Sequence, residues 1–103
     1  MRKAKPRNTG PAVPLAAAAA AHGPITVLVN NAANDKRHAT LEVTEEFWDW
    51  SQAINLKSYF FAAQAVIPGM VAAGGGSIVC TSSISAVLAT PNEVLYDTTK
   101  GAV

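Results

Sequence analysis

Two short apolar runs, Ile25-Thr26-Val27-Leu28-Val29 and Ser77-Ile78-Val79-Cys80-Thr81, constrain this chain more than any other feature. Both are rich in β-branched residues, the pattern of parallel strands buried on both faces. Between them lies a long stretch with helical periodicity, and a further helix follows. The order is strand, helix, strand, helix, which implies an α/β fold with a parallel sheet and a right-handed crossover. Ligands of such sheets bind beyond the carboxyl ends of the strands. Here those ends carry Asn30 and Asn31 on one strand and Ser83 just past the other.

The remaining segments fit around that frame. Residues 1–14, with three prolines and a basic start, read as a tail. Leu15 to Ala21 is expected to be helical on alanine propensity, stopped by Gly23-Pro24. Asn34 to His38 reads as a polar, solvated loop. Thr44 can cap the next helix, with Glu45, Glu46 and Asp49 complementing its dipole. Its apolar face is expected at Phe47, Trp50, Ile54, Phe61 and Ala65. Tyr59 to Ile67 is apolar nearly all round, which predicts burial on more than one side. Pro68 is expected to kink or end this helix, and Gly74-Gly75-Gly76 to turn the chain into the second strand. A last helix begins near residues 92–94.

With 103 residues, half of them apolar, there is room for one small domain. A net charge of +1 makes no electrostatic case for nucleic acid or an anionic membrane, and the cluster Arg2, Lys3, Lys5 and Arg7 reads as a solvated tail. The single cysteine, Cys80, cannot pair internally, and its apolar run predicts a buried strand; a cytoplasmic, reducing compartment fits. A basic start followed by Leu15 and six alanines imitates a secretion signal, but alanine is a poor core for one and Pro11 and Pro14 interrupt it. No run approaches the ~18 apolar residues of a membrane span. His38 has no spaced partners that would make a metal site. Trp48 and Trp50 read as core or subunit contacts rather than a sugar platform.

The chemistry is concentrated near the end of the chain. Tyr96 and Lys100, four residues apart on a helix, lie on one face one turn apart. An ammonium beside a phenol favours phenolate, which suits general-base work at a hydroxyl. Ser83, thirteen residues upstream, could hold the reacting oxygen. An i,i+4 tyrosine–lysine pair also occurs as plain helix support. The neighbouring motifs decide between the two readings.

Val29-Asn30-Asn31-Ala32-Ala33, Ile54-Asn55-Leu56, Gly76-Ser77-Ile78 with Ser82-Ser83, and Tyr96-Asp97-Thr98-Thr99-Lys100 occur in an order and spacing that resemble the short-chain dehydrogenase/reductase family. The resemblance covers residues 15–103, which are expected to be a partial Rossmann-like, doubly wound domain. Within the family it is closest in pattern to bacterial sugar 1-dehydrogenases of the xylose and galactose type. It implies an NAD- or NADP-dependent oxidoreductase acting on a CH–OH group, with an aldose C1 hydroxyl going to lactone as the finer reading. By the resemblance Tyr96 exchanges the proton, Ser83 bonds the substrate oxygen, and Lys100 tunes Tyr96 and binds the nicotinamide ribose. Asn55 holds a water in the relay. Asn30, Asn31, Ala32 and Ala33 support the adenosine half of the cofactor, with Ala33 in place of the usual glycine, though the asparagines also suit a simple turn. Ser82 reads as structural. No metal is implied.

The family's glycine-rich pyrophosphate turn is not in this sequence; Thr9-Gly10-Pro11 is the nearest imitation. Nor is there a residue to choose NAD over NADP, or the family's later strands, so the chain is expected to be truncated at both ends. Two readings follow: a small-molecule alcohol or sugar oxidoreductase, or a non-catalytic piece that associates with a complete relative. The family precedent for self-association, giving a homo-oligomer, is the 45–73 helix.

Overall fold

The computed structural model describes residues 10–103; the basic cluster and Thr9 lie outside the described residues. The alanine run forms α1 (Ala12–His22), three residues longer at its start than expected. Pro11 and Pro14 do not prevent this, because they fall at the N-cap and in the first turn, where helix N–H groups have no intrahelical partner. Gly23 ends the helix, its N–H donating to Ala19 O at 2.9 Å.

Strands β1 (Val27–Asn30) and β2 (Ser77–Cys80) pair in parallel, from Val27 opposite Ser77 to Asn30 opposite Cys80. Two further bonds of 2.9 Å, Ser77 N–H to Thr26 O and Thr81 N–H to Asn30 O, extend the ladder at both ends. The crossover is helical: α2 (Glu45–Gln52), a π turn at Ala53–Lys57, and α3 (Ser58–Ala72). Thr44 caps α2 as expected, its Oγ1 accepting from Phe47 N–H at 3.1 Å.

The buried face of this crossover is Ser51, Asn55, Tyr59, Ala62, Val66 and Met70. It is not the expected one: Trp50 and Phe61 are 38% and 40% exposed. The inward positions near the strand ends are polar, so the periodicity of apolar residues points to the wrong stripe. Phe60, Ile67 and Val71 are also exposed, so the second half of the helix is buried on one side only. Pro68 does not end the helix either. It cannot donate to Gln64 O, but Val66 and Met70 anchor the same face on either side of it. The end comes at Gly74, with φ 91°, where Gly74 N–H reaches Val71 O at 3.1 Å and Gly75 N–H reaches Met70 O at 2.8 Å.

Gly76 is required by close approach: a Cβ there would lie 2.6 Å from Met70 Cγ and 2.9 Å from Thr26 O. Met70 belongs to the apolar core of Leu28, Ala62 and Val66, edged by Leu15, Ile25 and Ala63. That core lies between α3 and one face of β1. The strands are therefore not buried on both faces: Val27, Val29 and Val79 are exposed because no described element covers the other side, and Ile78 and Cys80, in register with Leu28 and Asn30 on the α3 face, are exposed as well. The molecule is a slab, 47 × 45 × 16 Å.

Candidate active site

Beyond the carboxyl ends of β1 and β2 the chain gathers its buried polar side chains. A short 3₁₀ turn (Ile84–Ala86) leads toward α4 (Val94–Ala102), which carries Tyr96 and Lys100 on one face. Lys100 is 2% exposed, and its Nζ donates to Thr81 O at 2.7 Å. The ammonium lies 5.7 Å from the centre of the Tyr96 ring and 5.5 Å from that of Tyr59. Burial lowers the Lys100 pKa from the ordinary lysine value. The two aromatic faces offset part of that desolvation.

Tyr96 is half-buried, and its hydroxyl has no hydrogen-bond partner among the described residues. Ser83 is the N-cap of the 3₁₀ turn; its Oγ accepts from Ser85 N–H at 3.2 Å, which leaves the hydroxyl proton available to donate. No hydrogen bond joins Ser83 to Tyr96 or Lys100 among the described residues. Ser82 has the structural place expected of it: its hydroxyl donates to Lys100 O at 3.0 Å and ties the strand end to α4.

Asn55 is fully buried in the π turn. There Ser58 N–H reaches back five residues to Ala53 O, and the carbonyl this bypasses, Ile54 O, accepts the Ser58 hydroxyl at 2.8 Å. The Asn55 amide grips the backbone of Asn34, accepting from its N–H at 2.8 Å and donating to its carbonyl at 2.9 Å. The role expected for Asn55 is to hold a water; in the structure its side-chain amide also shapes the loop after β1.

That loop begins with the expected cofactor element. Asn30 is buried, and its Nδ2 donates to Tyr59 O at 3.1 Å and to Cys80 Sγ at 3.5 Å. Asn31 Oδ1 accepts the Thr81 hydroxyl at 3.0 Å. Ala32 O accepts the Tyr59 hydroxyl at 3.0 Å, while Ala33 is exposed. The two asparagine side chains thus tie the end of β1 to the crossover and to β2. His38 departs from the solvated loop expected of it: it is half-buried, and Arg37 pairs with Glu93 at 3.3 Å.

Tyr59 and Thr81 are the residues that sequence reasoning missed. Tyr59 bonds Asn30 and Ala32 and flanks Lys100; its pKa is raised, first by burial and then by Cys80 and Tyr96 nearby. A phenol four residues after Asn55, in an otherwise apolar run, was the available signal. Thr81 contributes through its backbone carbonyl, which no side-chain pattern reveals. Among the described residues no group of three or more His, Cys, Asp or Glu gathers as metal ligands.

Comparison with known proteins adds a family to this geometry. A family model described as short chain dehydrogenase matches residues 12–103. A "probable galactose dehydrogenase" of Rhizobium meliloti is 51% identical over 81 residues, 79% of this chain and 32% of that protein. D-xylose 1-dehydrogenase of Caulobacter vibrioides is 44% identical over 81 residues, 79% of this chain and 33% of its own length. A gluconate 5-dehydrogenase of Burkholderia cenocepacia, solved in complex with NADP and tartrate, superposes with a TM-score of 0.79 at 35% identity, covering 85% of this chain and 34% of that one. The chain therefore spans about a third of the length of the curated relatives it matches. Its parallel strands and helical crossover are those of part of a Rossmann-like domain, and the chain belongs to the short-chain dehydrogenase/reductase family.

Proposed function

We propose that this chain carries the proton-transfer centre of a nicotinamide-dependent oxidoreductase acting on the CH–OH group of a small alcohol or sugar, in a cytoplasmic setting. The observation that carries the proposal is the buried Lys100 ammonium beside a Tyr96 phenol whose hydroxyl is unengaged. An ammonium has three donors, and Thr81 O occupies one. The others suit the hydroxyls of a cofactor ribose. Asn30 to Ala33 would support the adenosine half. When bound, NAD or NADP would supply the acceptor for the hydride of the alcohol carbon.

The chain's own residues handle the proton. Ser83 donates to the reacting oxygen and orients it. Tyr96 is the general base that takes the hydroxyl proton while the carbonyl forms, with the Lys100 ammonium 5.7 Å from the centre of its ring. Asn55 fixes the loop that frames the site. The galactose and xylose dehydrogenases among the relatives favour an aldose, with the C1 hydroxyl oxidised to a lactone. The test is reduction of NAD and NADP in the presence of xylose, galactose and gluconate. Tyr96→Phe and Ser83→Ala are each expected to lower the rate by about 10²–10⁴-fold. Turnover that survives Tyr96→Phe unchanged would contradict the assignment.

A second reading is favoured by a separate observation. Phe60, Phe61, Ile67 and Val71 leave an apolar face of α3 exposed. On this reading the chain associates, through residues 45–73, with another copy or with a complete relative, and is not itself catalytic. Sedimentation of the purified chain decides it: a monodisperse, cooperatively unfolding monomer counts against it.

A further inference from the structure

The N-terminus of α4 lacks the cap its own sequence should provide. Glu93 occupies the cap position but makes no side-chain hydrogen bond to the helix. The first intrahelical bond runs from Asp97 N–H to Glu93 O at 2.9 Å, which leaves the N–H groups before it to find partners elsewhere. One of them, Leu95 N–H, donates to Nε2 of His38, a residue 57 positions earlier, at 3.4 Å. The backbone N–H of His38 in turn donates to Asn92 O at 2.9 Å. Asn92 has φ 61°, the only positive value at a non-glycine among the described residues. Next to it, Arg37 meets the buried Glu93 carboxylate at 3.3 Å. Phe47 stands edge-on to the imidazole, with ring centres 5.4 Å apart.

We propose that Arg37 and His38 form a clasp that positions α4, with His38 serving as its N-terminal cap. The cap defines a chemical state. An Nε2 that accepts an N–H is unprotonated, so the neutral imidazole carries its proton on Nδ1. Nδ1 is buried without a partner among the described residues, so the Nδ1–H form is fixed by the bond at the other nitrogen rather than by one of its own. Leu95 directly precedes Tyr96. The clasp therefore sets where the phenol stands, and the Asn55 grip on Asn34 fixes the same loop from the crossover side. His38 and Arg37 are positioning residues; their consequence for catalysis rests on the function proposed above.

The test is made on the 103-residue chain by NMR and needs neither cofactor nor turnover, so its failure and failure of the oxidoreductase reading are distinct. In the wild type, nitrogen-detected histidine spectra are expected to show the Nδ1–H form of His38. His38→Leu is expected to speed exchange of the Leu95 amide by about fivefold to tenfold, as for loss of a helix cap. His38→Gln, whose side-chain oxygen reaches the Nε2 position, is expected to restore protection. An Nε2–H form in the wild type, unchanged Leu95 exchange in His38→Leu, or a His38→Gln variant no better protected than the leucine one would overturn the proposal. Should His38→Leu fail to fold, the wild-type protonation form and the His38→Gln exchange rate decide alone.

Discussion

The two sides of the sheet's carboxyl end and its flanks are built on opposite terms. At the strand ends the most completely buried large side chains are polar: Lys100, Asn55 and Thr99. Each is hydrogen-bonded, to Thr81 O, to the Asn34 backbone and to Tyr96 O. On the strand faces away from α3, by contrast, Val27, Val29 and Val79 are more than half exposed. Outside the small core of Leu28, Ala62, Val66 and Met70, apolar character does not predict what is inside. Directional bonds fix the site, while the apolar faces await no partner that the described residues provide.

That contrast can be broken most sharply at Asn55. Asn55→Leu is nearly isosteric but strands a backbone N–H and a carbonyl at Asn34, and is expected to cost about 2–4 kcal/mol in urea unfolding. Gly76→Ala comes next: the new methyl meets Met70 and the rigid Thr26 carbonyl, for about 1–3 kcal/mol measured the same way.

The pH dependence sharpens the comparison. Burial lowers the Lys100 pKa, so in the alkaline window below the ordinary ~10.4 the unfolded chain holds more protons and stability rises with pH. The raised Tyr59 pKa works the other way. Above ~10 the unfolded phenol ionises first and stability falls. Lys100→Met should remove the rise and Tyr59→Phe the fall, both read from thermal unfolding across pH. The smallest effect belongs to the open face: Val79→Thr is expected to change stability by less than about 0.5 kcal/mol, in the same unfolding experiment, and to raise solubility.

Much of the fold was legible in the sequence because it rests on local chemistry. The β-branched runs gave the strands, Thr44 the cap, Gly74 the turn, and the spacing of Tyr96 and Lys100 their shared face. What was hidden depended on contacts between distant segments. The inward stripe of the crossover was misread because its first two members, Ser51 and Asn55, are polar: Asn55 is held by the loop after β1, and the Ser51 hydroxyl bonds Asn55. Pro68 was misread because tertiary anchoring at Val66 and Met70 outweighs one lost helix bond. Tyr59, Thr81 and His38 act through bonds to partners 19 to 57 positions away, each with a backbone group on one side, where side-chain patterns carry no signal.

The central claim is that the polar cluster at the strand ends is built to hold a nicotinamide dinucleotide beside Tyr96. Calorimetric titration of the folded chain with NAD and then NADP, repeated on Lys100→Met, tests it most directly. Saturable binding to one of the two, accompanied by a raised melting temperature and lost in Lys100→Met, is the predicted result. A folded, cooperatively melting sample that binds neither, or a Lys100→Met variant that binds as well as the wild type, would contradict it.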